Sequence, residues 1–150
     1  MITSAAVAFL HFAAVFGVFG TLVGEWLVFS RAPTVAQARQ LQWLDRLYGL
    51  SATALLVAGG IRAWRFEKGL DFYLSNPFFH LKLTLFVVVG LLSIYPTVVF
   101  IPWSNDLKAG RAPAVSDTQH AWITRLLKIE LVALFAILAC ASLMAKGIGA

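Results

Sequence analysis

Two groups of ionisable residues in this chain fall within or beside apolar sequence, where charge is costly and suggests function. The first is His11, Arg62, Arg65 and Lys82. It is cationic or neutral-basic throughout, and the carboxylates closest to it, Glu67 and Asp71, belong to a loop. An imidazole among cations suits an anionic ligand. Haem b meets that description: His11 would ligate the iron as a neutral imidazole, and Arg62, Arg65 and Lys82 would hold the propionates. The expected role is redox, with electrons passing to or from quinone. Met144 could be a second iron ligand, although methionine more often packs. The bland readings are an interhelical hydrogen bond for His11 and a snorkelling ammonium for Lys82. The second group, Glu25, Asp45, Arg46, Arg125 and Glu130, mixes signs. It can be read as ion pairs that fix helix register, or as a proton path to a redox centre.

The elements that must position these groups are membrane helices. The chain has 150 residues, is 60% hydrophobic and 13% charged, and has a mean hydropathy of +0.82. That exceeds what a soluble domain needs. Runs near 5–29, 47–66, 78–101 and 126–145 are each long enough to cross hydrocarbon, which takes about 20 apolar residues. Backbone satisfaction in lipid leaves helices or a closed barrel, and four spans are too few for a barrel. The expected fold is all-α, one membrane domain built as a four-helix bundle.

The opening MITSA has no Lys or Arg and no cleavage site, so the first helix is expected to stay in the mature protein. Both termini then share one membrane side, B, with the loop at 67–76. Side A holds the loops near 30–45 and 101–124. Seven of the twelve Lys and Arg residues lie on side A, which favours a cytoplasmic side A and periplasmic termini in a bacterial inner membrane. Trp26, Trp43, Trp103 and Trp122 on side A suggest an aromatic belt. The net charge of +5 does not point to nucleic acid, because the cations sit at helix ends rather than along a soluble basic stripe. Thr34 is placed to cap the second helix, the stretch Ser75–Pro77 to cap the third with Pro77 in its first turn, and Asp117 or Thr118 to cap the fourth.

Helical angles sort the faces. Ala13, Gly17, Gly20 and Gly24 form a small-residue stripe on the first helix, suited to close packing within the bundle or to a homodimer or larger complex. His11, Val18, Leu22 and Glu25 lie opposite. In FFHLKLTLF, His80 and Lys82 are about 160° apart. Lys82 shares the small and polar side with Val89, Ser93 and Pro96, and His80 shares a lipid-like side with Thr84, Val87, Leu91 and Val98. Cys140 is alone, which excludes an intramolecular disulfide, and reads as a packing residue. CxxC, HExxH, a nucleophile elbow and a Gly-rich phosphate loop are all absent.

The runs WLDRLYGLSA, GGIRAWRFEKG, FYLSNPFFHLKLTLF and LLSIYPTVVF resemble an uncharacterised bacterial family of four-helix membrane proteins, over almost the whole chain. That family is similar in turn to the CopD-like membrane group, which includes HemJ, a haem-linked protoporphyrinogen oxidase. The resemblance rests on AFLHFAAV, with His11 in the first helix, and FFHLKLTLF, with Lys82 in the third. It implies His11 as a haem ligand and Lys82 as the catalytic residue at a porphyrin site. A non-catalytic accessory subunit or a small-solute transport protein is the remaining alternative.

Overall fold

The computed structural model describes residues 2–66 and 70–149, so Glu67 and Lys68 lie outside the described residues. Among the described residues six α-helices follow in order: α1 (Ile2–Val28), α2 (Val35–Ile61), α3 (Leu70–Ser75), α4 (Pro77–Phe100), α5 (Trp103–Lys108) and α6 (Asp117–Ala145). A π-helical turn, Arg62–Phe66, extends α2. The four long helical stretches are long and apolar enough to cross a membrane, and α1, α2, α4 and α6 form the bundle.

Local chemistry sets the helix ends. Thr34 starts α2: its hydroxyl accepts from the Gln37 amide at 3.2 Å while the Gln37 side chain accepts from the Thr34 amide at 2.9 Å. This reciprocal box satisfies two donors that a helix start otherwise leaves bare. Asn76 caps α4 by accepting from the Phe78 amide at 2.9 Å, with Pro77 in the first turn. The α6 cap differs from the expectation of Asp117 or Thr118. It is Ser116, because only Ser116 has a glutamine three residues on to close the box. The Asn76 amide also donates to the Ile148 carbonyl at 3.1 Å, fastening the chain's end beside α4.

The bundle is two antiparallel pairs, α1 with α2 and α4 with α6, joined through α1–α6 and α2–α4. Across the first pair Gly17 meets Ser51, Gly24 meets Leu44 and His11 meets Gly59. The stripe on α1 therefore sets Gly17 and Gly24 against α2, whereas Gly20 has nothing within 4 Å of where a Cβ would be. Because lipid is as apolar as leucine, such close approach, rather than hydrophobic transfer, holds the pair together. Val18, Leu22, Val89, Leu127 and Leu134 fill the centre. Phe16, Leu27 and Val132 are at least 69% exposed, which suits a lipid-facing belt rather than a watery surface.

The two faces of α4 separate as the angles require. Val89 and Pro96 are buried, and Thr84, Val87, Leu91 and Val98 are exposed. His80 is on that outer side, its Nε2 2.8 Å from the Leu74 carbonyl. Trp26, Trp43 and Trp122 are exposed at the side A end. Trp103 is not part of that belt. It turns inward and packs on Phe100 with ring centroids 4.7 Å apart.

Candidate functional site

All four long helices contribute to a polar cluster inside the bundle. Glu25 comes from the last turn of α1, Asp45 and Tyr48 from one face of α2, Ser93 and Thr97 from successive turns of α4, and Glu130 from α6, about 20 Å along its axis. Glu25 interacts electrostatically with both Asp45 and Glu130, and Tyr48 lies between Ser93 and Glu130. Glu130 is 1% exposed and Glu25 3%. Neither Glu130 oxygen, nor Oε1 of Glu25, has a hydrogen-bond partner among the described residues. The Tyr48 hydroxyl approaches Glu130 closely enough to interact with it, but not in good hydrogen-bond geometry.

Asp45 is the outer member of the set. It is half-buried, sits next to the exposed Arg46, and its Oδ1 is 2.6 Å from the Thr97 hydroxyl. The same hydroxyl is 3.0 Å from the Ser93 carbonyl. A hydroxyl has one proton, so Thr97 donates to Asp45 or to Ser93, but not to both. Pro96, one residue earlier, removes an amide from this turn of α4, where the two hydroxyl residues gather.

The ion-pair reading of this group does not match the arrangement. The acids point inward and the arginines outward: Arg46 and Arg125 are exposed, and the Arg125 guanidinium lies 5.5 Å over the Trp122 ring. Among the described residues, no Lys or Arg pairs with Glu25 or Glu130. Carboxyl groups gathered in an apolar interior are costly to ionise together without counter-ions. Towards side B the interior is closed by Ala14, Val18, Val89 and Leu134. On side A, Phe29, Phe100, Trp103 and His120 stack above it. Asp45 is the half-buried member of the cluster.

The side B set does not converge in the same way. His11 and Arg62 are neighbours on the α1–α2 seam: Cε1 and Nδ1 of His11 face Gly59, and the Arg62 guanidinium lies 5.2 Å over the Phe12 ring. Arg65 is exposed. Lys82 is elsewhere, its ammonium 5.3 Å over Phe79 and 5.9 Å over Tyr73. Ala63, Tyr73 and Met144 pack as one buried cluster at this end, joining the end of α2 to that of α6. Among the described residues the backbones of α1 and α4 do not come close, and the two helices lie diagonally across the bundle. His11 and Arg62 could hold one face of a haem, and Lys82 stays outside that arrangement. Met144 is 5% exposed and belongs to the packed cluster.

Residues 3–149 match a family model described as Predicted membrane protein (DUF2214). The chain belongs to this family. No curated protein and no solved structure matches it. Family membership brings a membrane setting and no activity, so the chemistry of this member has to be read from its own interior. Sequence reasoning singled out Glu25, Asp45 and Glu130, but missed Tyr48, Ser93 and Thr97 as their companions. A signal for them existed: Tyr48 follows Asp45 by three residues and Thr97 follows Ser93 by four, the spacings that share a helix face.

Proposed function

We propose that this chain is a proton-coupled integral membrane protein whose Glu25–Asp45–Glu130 cluster loads and releases protons from side A. It would act in a bacterial inner membrane with side A cytoplasmic and both termini periplasmic. The observation that carries the reading is the pair of almost fully buried glutamates with unpartnered oxygens. Tyr48, Ser93 and Thr97 supply hydroxyls that can accept and pass on a proton, and Asp45 is the member open to the outside. The test is infrared difference spectroscopy of the reconstituted protein through a pH jump. A protonated-carboxyl C=O band is expected near neutral pH, lost in Glu130→Gln and weakened in Glu25→Gln. Carboxylates that stay fully ionised over the pH range in which the protein is folded would overturn the proposal.

A second reading concerns what the protons are coupled to. His11 with Arg62 on the α1–α2 seam favours haem b, held by the His11 imidazole with Arg62 and the exposed Arg65 toward the propionates. Haem b would supply one-electron transfer, with quinone as the exchange partner. Protein purified after expression with a haem supply is expected to show a Soret band that His11→Ala removes. Without that band the coupled event is small-solute transport, or the chain serves as an accessory subunit in a larger membrane complex. A HemJ-like protoporphyrinogen oxidase would need porphyrin near Lys82 as well. Rescue of a strain lacking that oxidase, abolished by Lys82→Ala, separates it from plain electron transfer.

A further inference from the structure

The first turns of α2 and the short helix α5 enclose a hollow on side A lined by Arg39, Gln42, Arg46, Ser104, Leu107 and Lys108. Its rim is fixed from within the protein. Gln42 Nε2 donates to the Phe100 carbonyl at 2.6 Å and lies 3.0 Å from Ser104 Oγ, and Arg39 Nη2 donates to the Leu107 carbonyl at 3.2 Å. A guanidinium has five N–H donors in a planar fork, so Arg39 keeps most of its donors free for a ligand. Arg39, Arg46 and Lys108 are all exposed, and among the described residues none forms an ion pair. The carboxylates nearest in sequence are otherwise engaged: Asp45 turns inward to Thr97, and Asp106 pairs with Arg111 at 2.8 Å. Three like charges converge on one hollow, and Asp45, the carboxylate that offsets Arg46 in part, is not in its lining. Beside them Trp43 and Ile101 are 59% and 62% exposed, where a lipid-facing surface begins.

We propose that this hollow binds a phosphate group, presented by the headgroup of an anionic phospholipid. Guanidinium forks match phosphate oxygens in pairs, and an ammonium adds a point charge. Trp43 and Ile101, exposed near the hollow's lining residues in sequence, offer acyl chains an apolar surface. The site is distinct from the acid cluster, and its test is independent of proton loading.

The experiment is native mass spectrometry of detergent-purified protein titrated with phosphatidylglycerol, phosphatidylcholine or inorganic phosphate. One retained phosphatidylglycerol is expected, in preference to phosphatidylcholine. Inorganic phosphate competing at millimolar concentration would assign the site to soluble phosphate chemistry, and its failure to compete assigns it to the lipid. Arg46→Gln with Lys108→Gln leaves the Arg39–Leu107 bond in place. It is expected to weaken retention roughly 25-fold, about five-fold for each interfacial cation. Arg125→Gln with Lys128→Gln removes the same charge from the α6 surface of the same membrane side and should leave retention unchanged. Equal losses in the two double variants would mean a diffuse surface potential, and no preference for phosphatidylglycerol or phosphate would mean no site. Either result overturns the proposal.

Discussion

Gly17→Leu is expected to prevent stable pairing of α1 with α2, and Gly17→Ala to cost about 1–3 kcal/mol, the usual range for forcing extra volume into a packed interior. A Cβ on Gly17 would overlap the Ser51 hydroxyl and come within 2.9 Å of Ser51 Cβ. Rotating Ser51 moves its oxygen away but not its Cβ, so the two helix backbones must part. Parting them loosens the seam on which Leu44 rests against Gly24 and His11 against Gly59. The measurement is unfolding of the purified protein by a denaturing detergent. Ser51→Gly should restore most of the stability lost in Gly17→Ala, because it removes the clashing atoms themselves. Gly20→Leu is the matched control. A Cβ there meets nothing within 4 Å, so folding should survive. If Gly20→Leu changes the oligomeric state alone, the outer part of the stripe is a contact between copies. Loss of stability in Gly20→Leu equal to that in Gly17→Leu would mean that the seam is not what limits packing.

The architecture was legible because the signal for membrane helices is strong and redundant. Length, apolar content and the positions of Thr34, Asn76 and Pro77 all agree with the helices observed. The α6 cap was misplaced by one or two residues because Ser116, Asp117 and Thr118 are all good caps in isolation. The choice among them is made by Gln119, whose spacing fits only Ser116. The site was legible only in part. Position along a helix can be read from sequence, which sets Glu25, Asp45 and Glu130 at a common level near side A. Grouping them with Arg46 and Arg125 ignored direction. Neighbours in sequence differ by about 100° around the axis, so Asp45 and Arg46 cannot both face inward. His11 and Lys82 failed to meet for a different reason. They share a membrane side, but which helices are adjacent and which are diagonal is settled by packing such as Gly17 on Ser51 and Ala63 with Tyr73 and Met144. No single-helix pattern contains that information.

Glu130→Leu is expected to make the protein more stable, by about 1–3 kcal/mol, while abolishing the protonation signal of the cluster. A buried polar group without a hydrogen bond carries a desolvation cost of that size, and neither oxygen of Glu130 has a partner among the described residues. Leucine is about one methylene larger than glutamate, and the neighbourhood already holds Leu127 and Leu134. Asp45→Leu should behave in the opposite way. It discards the 2.6 Å contact with Thr97 and should cost about 1 kcal/mol, the typical net worth of a hydrogen bond. The contrast separates two roles for acids that look alike in sequence. A carboxyl that ties helices together loses stability when removed, as expected for Asp45. One that burdens the fold and holds a proton gains it, as expected for Glu130. Unfolding of both variants, read alongside the infrared C=O band, decides between them. If Glu130→Leu destabilises the bundle as much as Asp45→Leu, then Glu130 is a register pin held by Tyr48, and the cluster does not have the surplus acid that proton loading requires.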